Sequence, residues 1–100
     1  MKVVVRTPSQ WCFADGMWHF LEHDDGYYLY VNCEHSAVCF PIMVKLSEDE
    51  CVECHALGWT FLEYFAEKIN YWQSKYSARR VGSALLAEAQ AEIKRAGQHS

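Results

Sequence analysis

"KLSEDECVECH", residues 45 to 55, is where the chain changes from one kind of structure to another. Ser47-Glu48-Asp49-Glu50 is a capping box: the Ser47 hydroxyl satisfies the amide of Glu50, whose carboxylate reaches back to Ser47. Acidic residues in that first turn suit the positive end of a helix dipole. Leu46 before the cap and Cys51 at the fourth helical position form the apolar pair that staples such a start. A helix therefore begins at Glu48, and the residues on either side of that point follow different periods.

Upstream, the pattern is that of strands. Lys2–Arg6 is β-branched, and Thr7-Pro8-Ser9 ends it. Trp11–Ala14 reads as a short strand before an Asp15-Gly16 turn. Met17–His23 alternates, with Trp18 and Phe20 on one face and Met17, His19 and Leu21 on the other. Asp24-Asp25-Gly26 is a hairpin signal, since Asp and Gly accept the positive φ that a tight turn demands. Tyr27–Cys33 pairs back, and Glu34-His35-Ser36 turns the chain into Ala37–Leu46. Pro41 there cannot donate a ladder hydrogen bond, so it marks an edge strand or a bulge.

Downstream, one helix is expected from Glu48 to about Gln73. A second runs from about Ala78 to Ala96, with Gly97 as its stop. The fold expected is a single α+β domain over residues 1–100, with an antiparallel meander of four to five strands over about 2–46 and two helices packed on one face. A chain this long buries roughly 60–70% of the surface of its unfolded form, so a core forms without staples.

Apolar residues make up 51% of the chain and the net charge is −4. The acidic balance argues against nucleic acid and anionic membrane, both of which need a surplus of Lys and Arg, and it suits a basic partner. Lys2–Arg6 is too short for the apolar core of a signal peptide, and no run approaches the ~18 apolar residues of a membrane helix. The five cysteines, an odd number, then read as reduced thiols in the cytoplasm.

Cys51, Cys54 and His55 have the spacing of a c-type haem attachment and of half a zinc or redox site. On the expected helix, however, Cys51, Cys54, His55, Gly58, Phe61, Leu62, Phe65, Ile69 and Trp72 share one arc, opposite Glu53, Thr60, Glu63 and Glu67. Both thiols then lie on the stripe that meets the sheet, where cysteine behaves as a small hydrophobe. Haem would require export and a second axial ligand, and a thioredoxin-like switch would put its first Cys at the helix N-terminus rather than a turn inside. The alternative that stays open is a zinc or thiol-redox protein using Cys33, Cys39, Cys51 and Cys54, with His35 nearby. The first expectation is no cofactor.

Other chemistry is thin. His19 and His23 share a strand face beside Asp24 and Asp25, a set able to hold a metal or move a proton but more ordinary as a wet strand face and its turn. Neither a Ser–His–Asp nor a Cys–His arrangement can be assembled, and no Gly-rich phosphate loop occurs, so no enzyme is expected. Lys75, Arg79 and Arg80 read as partners for nearby carboxylates.

The aromatic surplus is more informative. Leu57, Tyr64 and Tyr71 recur every seven residues along the flank of the apolar stripe. Tyr28 and Tyr30 share a strand face opposite Tyr27, Leu29 and Val31, and helices on one face bury only one of these sets. The second set is either covered by the C-terminal helix or exposed, with Trp18 or Trp11, as a protein-binding surface. The expected surface is Trp18, Tyr28, Tyr30, Tyr64 and Tyr71, with Glu22, Asp24 and Asp25 steering a basic partner.

The run "YYLYVNCEHSAVCFPIMVKLSEDE", followed by Gly58, "FLEYFAEKI", Tyr76 and Arg79-Arg80, resembles small immunity proteins of bacterial toxin systems, over roughly residues 17–80. The resemblance lies in strand–helix order, capping and a mid-helix glycine. It implies a non-enzymatic inhibitor that occludes a toxin, with a partner that is a basic toxin domain. Self-association through an edge strand or an aromatic face is the other partner expectation.

Overall fold

In the computed structural model, which describes residues 2–6, 18–35 and 38–98, the capping box closes on both sides. The Glu50 amide donates to Ser47 Oγ at 3.2 Å, and the Ser47 amide donates to Glu50 Oε1 at 2.8 Å. Before it, the described residues form β1 (Lys2–Arg6), β2 (Trp18–His23), β3 (Gly26–His35) and β4 (Val38–Lys45). These pair antiparallel in the order β1-β2-β3-β4, a meander in which Pro41 lies on an edge strand opposite Asn32. The expected Trp11–Ala14 strand, the Asp15-Gly16 turn, Trp11 and Met17 lie outside the described residues.

After the box come α1 (Glu48–Leu57), α2 (Trp59–Tyr71), α3 (Gln73–Ser77) and α4 (Ser83–Gln98). The α+β class and the order of strands then helices are those read from the sequence. The single helix expected over residues 48–73 is instead broken twice. Gly58 adopts φ 61° and ψ −130°, a combination open to glycine and closed to residues bearing a Cβ. Its amide caps α1 through the Cys54 carbonyl at 2.7 Å, and its own carbonyl accepts from Phe61 and Leu62 to start α2. Trp72, at φ −107° and ψ 49°, then ends α2.

Residues 78–82 are also not helical. The Val81 amide donates to the Met43 carbonyl at 2.9 Å and Arg80 bridges Val44, so this segment covers part of the outer edge of β4. Gly97 falls inside α4 rather than stopping it.

The helices take both faces of the sheet, not one. Register puts Trp18, Phe20, Leu29, Val31, Ile42 and Val44 on one face, where they pack with Phe61, Leu62, Phe65 and Ile69 of α2 and with Tyr76 of α3. Leu21, Tyr28, Tyr30 and Met43 on the other face pack with Ala89 and Ile93 of α4. The second aromatic set of β3 is thus buried by the C-terminal helix. Among the described residues, no helix is long and apolar enough to cross a membrane.

Candidate interaction surface

At the β2–β3 hairpin, His23 pairs with Gly26, leaving Asp24 and Asp25 as a two-residue turn. Gly26 has φ 145°, a backbone conformation that favours glycine. The Tyr28 hydroxyl donates to both Asp25 oxygens, at 2.9 and 3.0 Å, and Lys45 Nζ lies 3.4 Å from Asp25 Oδ2. The Tyr28 hydrogen bond and the Lys45 charge hold the Asp25 carboxyl below its usual range. Burial, with the Asp25 carboxylate as its acceptor, pushes Tyr28 up to about 12.

His23 stands between two carboxylates, Nδ1 3.4 Å from Asp25 and Nε2 3.7 Å from Glu88 on α4. Because the carboxylates address opposite ring nitrogens, they do not converge on one point. The arrangement links the hairpin to α4 and offers neither a metal site nor a nucleophile. His19, expected beside His23, is buried against the edge of Tyr30 with 1% exposure.

Next to the hairpin, α1 has no fully buried residue, and Cys51 and Cys54 pack only partly buried against the core. Between Val3 and Val5 the β1–β2 register slips, and Val4 is the extra residue of that bulge. A groove of about 330 Å³ results, with Val4, Phe20, Tyr27 and Leu46 as its apolar lining and Glu22 at its rim. Cys51, Cys54 and His55 of α1 form the opposite wall. Tyr27 stacks on Phe20 with ring centroids 5.3 Å apart and planes 11° from parallel. The neighbouring Glu22 carboxylate raises the Tyr27 pKa.

Charge at this end is one-sided. Asp25 is paired with Lys45, and Glu50 with Arg79. Among the described residues, Glu22, Asp24, Glu48 and Asp49 have no ion-pair partner. Lys2 also lines the groove.

A second surface lies on the outside of α2. Tyr64 is 62% exposed, Tyr71 78% and Trp72 53%, with Leu57 and Trp59 exposed nearby in sequence. Tyr71 and Trp72 meet edge to face at 4.8 Å, and Lys68 Nζ lies 5.9 Å from the Tyr64 ring centre.

The aromatic surface expected from the sequence therefore divides. Trp18, Tyr28 and Tyr30 are 3%, 3% and 2% exposed, so they belong to the core and not to any surface. Tyr64 and Tyr71 are exposed as expected, as are Glu22, Asp24 and Asp25. Trp72, assigned to the buried stripe, is exposed because α2 ends one residue earlier. Tyr27 was missed as well. Its partner across the hairpin, Glu22, was the available signal, since a Tyr opposite a charged residue at a strand end tends to stay at the rim.

Among the described residues, Cys33, Cys51 and Cys54 form no metal-holding group. Cys33 is fully buried, its thiol 3.7 Å from the Val31 carbonyl, and burial pushes it up to about 12. Burial also raises Cys51 and Cys54, and the neighbouring Glu50 and Glu48 raise Cys51 further. In each of the three, burial favours the neutral thiol over the thiolate. Cys12 and the side chain of Cys39 lie outside the described residues. Among the described residues, no group of three or more His, Cys, Asp or Glu is placed to hold a metal ion.

Compared with models of protein families, with curated proteins and with solved structures, the chain matches none.

Proposed function

We propose that this chain is a non-enzymatic protein-binding domain, of the immunity type, that acts by occluding a basic partner. The observation that carries the reading is the exposure of Tyr64 and Tyr71 on a helix whose inner face is already complete, and of Trp72 at its end. Phe61, Leu62, Phe65, Ala66 and Ile69 bury α2 against the sheet, so its own packing makes no use of these rings. Tyr and Trp are the side chains that most often anchor interfaces, because each brings large contact area with little rotamer entropy to lose. The edge-to-face contact of Tyr71 with Trp72 reduces that entropy further. The uncompensated carboxylates at the hairpin end supply the orienting charge, which raises the rate of encounter with a basic protein.

The test is the affinity of the partner, captured by cross-linking in the native host and then purified, for Tyr64→Ala, Tyr71→Ala and Trp72→Ala. Each is expected to weaken binding by roughly tenfold or more while leaving the circular dichroism spectrum unchanged. If all three stay within about twofold, a change worth well under 1 kcal/mol, the α2 surface is not the interface and the reading falls.

A further inference from the structure

The groove at the hairpin end shares no lining residue with the α2 aromatics, and its chemistry is more selective than theirs. It has an apolar floor, one flat ring, one carboxylate beside that ring, and a surplus of negative charge outside. Its volume of about 330 Å³ is at the lower end of the roughly 300–1,000 Å³ typical of ligand pockets. That is room for one long side chain, not for a helix or a strand.

Each wall narrows the class of occupant. Phe20 stacks under the Tyr27 ring, which is 38% exposed, and Glu22 is its cross-strand neighbour. Leu46 and Val4 favour an aliphatic stem. The rim favours a cation: among the described residues Glu22, Asp24 and Glu48 have no ion-pair partner, although Lys2 stands opposite Glu22 in the β1–β2 register. A lysine would satisfy the charge, but only a guanidinium is planar enough to lie along a tyrosine ring while forking onto a carboxylate. Its three-methylene stem covers apolar surface as the head stays polar.

We propose that this groove receives an arginine side chain from a basic segment of a partner protein, with the guanidinium along Tyr27 and hydrogen-bonded to Glu22. The inference deepens the protein-binding reading by naming the contact chemistry. Lys2, the cation that lines the groove, opposes this occupant and sets a ceiling on its affinity.

The test uses a short synthetic Gly/Ser peptide carrying one arginine, titrated into the whole protein and followed by backbone amide shifts. The comparison peptide carries citrulline, which has the same shape without the charge. Saturable shifts at Glu22, Tyr27, Leu46 and Cys51 are expected, with the citrulline peptide at least about tenfold weaker. Glu22→Gln and Tyr27→Leu should each weaken the arginine peptide by about tenfold, and Lys2→Ala should tighten it. Equal binding of the citrulline peptide, shifts spread over all the acidic residues, or an unchanged affinity in Glu22→Gln would each overturn the proposal. None of those results bears on Tyr64, Tyr71 or Trp72. Failure here and failure of the α2 interface are therefore separately visible.

Discussion

Arg79 meets Glu50 in a two-point ion pair, Nη2 to Oε1 at 2.7 Å and Nη1 to Oε2 at 3.0 Å. Arg79 Nη2 also donates to the Lys45 carbonyl at 3.1 Å. One side chain thus ties the segment after α3 to the first turn of α1 and to the end of β4. The same Glu50 carboxylate closes the capping box, so a single group serves two joints. Burial raises the Glu50 pKa, but the Arg79 hydrogen bonds and the Ser47 amide outweigh it, and the net value is lowered.

Arg79→Ala should therefore lower stability by about 1 kcal/mol, the upper end for a partly exposed pair, because both groups still reach water. Arg79→Lys should not restore it, since a point charge cannot make the two parallel bonds. The folded pKa of Glu50 lies below its ordinary 4.5. Its contribution is complete above that value and is lost as pH falls through the folded pKa. Urea denaturation from neutral pH down to acid should show wild type and Arg79→Ala converging at the acid end. Parallel curves throughout would mean that the pair contributes nothing.

Tyr28 and Tyr64 should respond oppositely to truncation. Tyr28→Ala removes a core ring of the second cluster and its hydrogen bonds to Asp25, and should cost about 3–5 kcal/mol. Tyr64→Ala, on a solvent-facing helix surface, should stay within about 0.5 kcal/mol. Thermal melts of the two variants decide it, and similar losses would show that α2 packs its outer face against something in the isolated protein.

Much of this fold is legible in the residues and some of it is not, for identifiable reasons. Local chemistry read correctly: the Ser47 box, the Asp24-Asp25 turn and the edge position of Pro41 each depend on residues close in sequence or directly paired. The faces of β2 and β3 were also correct, because alternation fixes them. What alternation cannot supply is how many layers cover the sheet. Whether Tyr28 and Tyr30 are core or surface depends on α4 docking some sixty residues away, through Ala89, Ile93 and the Gln90–Tyr30 contact. Trp72 leaves the apolar arc for a different reason: the backbone breaks at Gly58 and leaves the helix after Tyr71, so a helical period does not reach it.

Gly58→Ala should isolate the cost of that backbone. A Cβ at Gly58 would meet nothing within 4 Å, so no clash contributes. The penalty is conformational, about 1–3 kcal/mol for holding an L-residue at φ 61°. Gly82→Ala is the comparison, with equally open surroundings and no positive φ, and should cost only the roughly 0.5–1 kcal/mol of placing alanine at the N-cap of α4. A neutral Gly58→Ala would mean that α1 and α2 can join into one straight helix. The groove wall formed by Cys51 and Cys54 would then shift, and groove binding should change in the same variant.

The thiols of α1 give the last prediction, because their state separates a packing role from a chemical one. In a Cys12→Ser, Cys39→Ser background, only Cys33, Cys51 and Cys54 remain to react. Burial raises Cys51 and Cys54 above the ordinary thiol value of 9.0, so alkylation at neutral pH should be slower than for a free cysteine and should rise with pH beyond that value. Cys33, pushed up to about 12, should react only under denaturant. Mass spectrometry of timed iodoacetamide reactions resolves the three sites. Fast alkylation of Cys51 or Cys54 near neutral pH would require a stabilised thiolate and would return zinc or redox chemistry to consideration. Slow alkylation of both, with Cys51→Ser costing stability and leaving arginine-peptide binding in place, would make the pair the apolar wall of the groove.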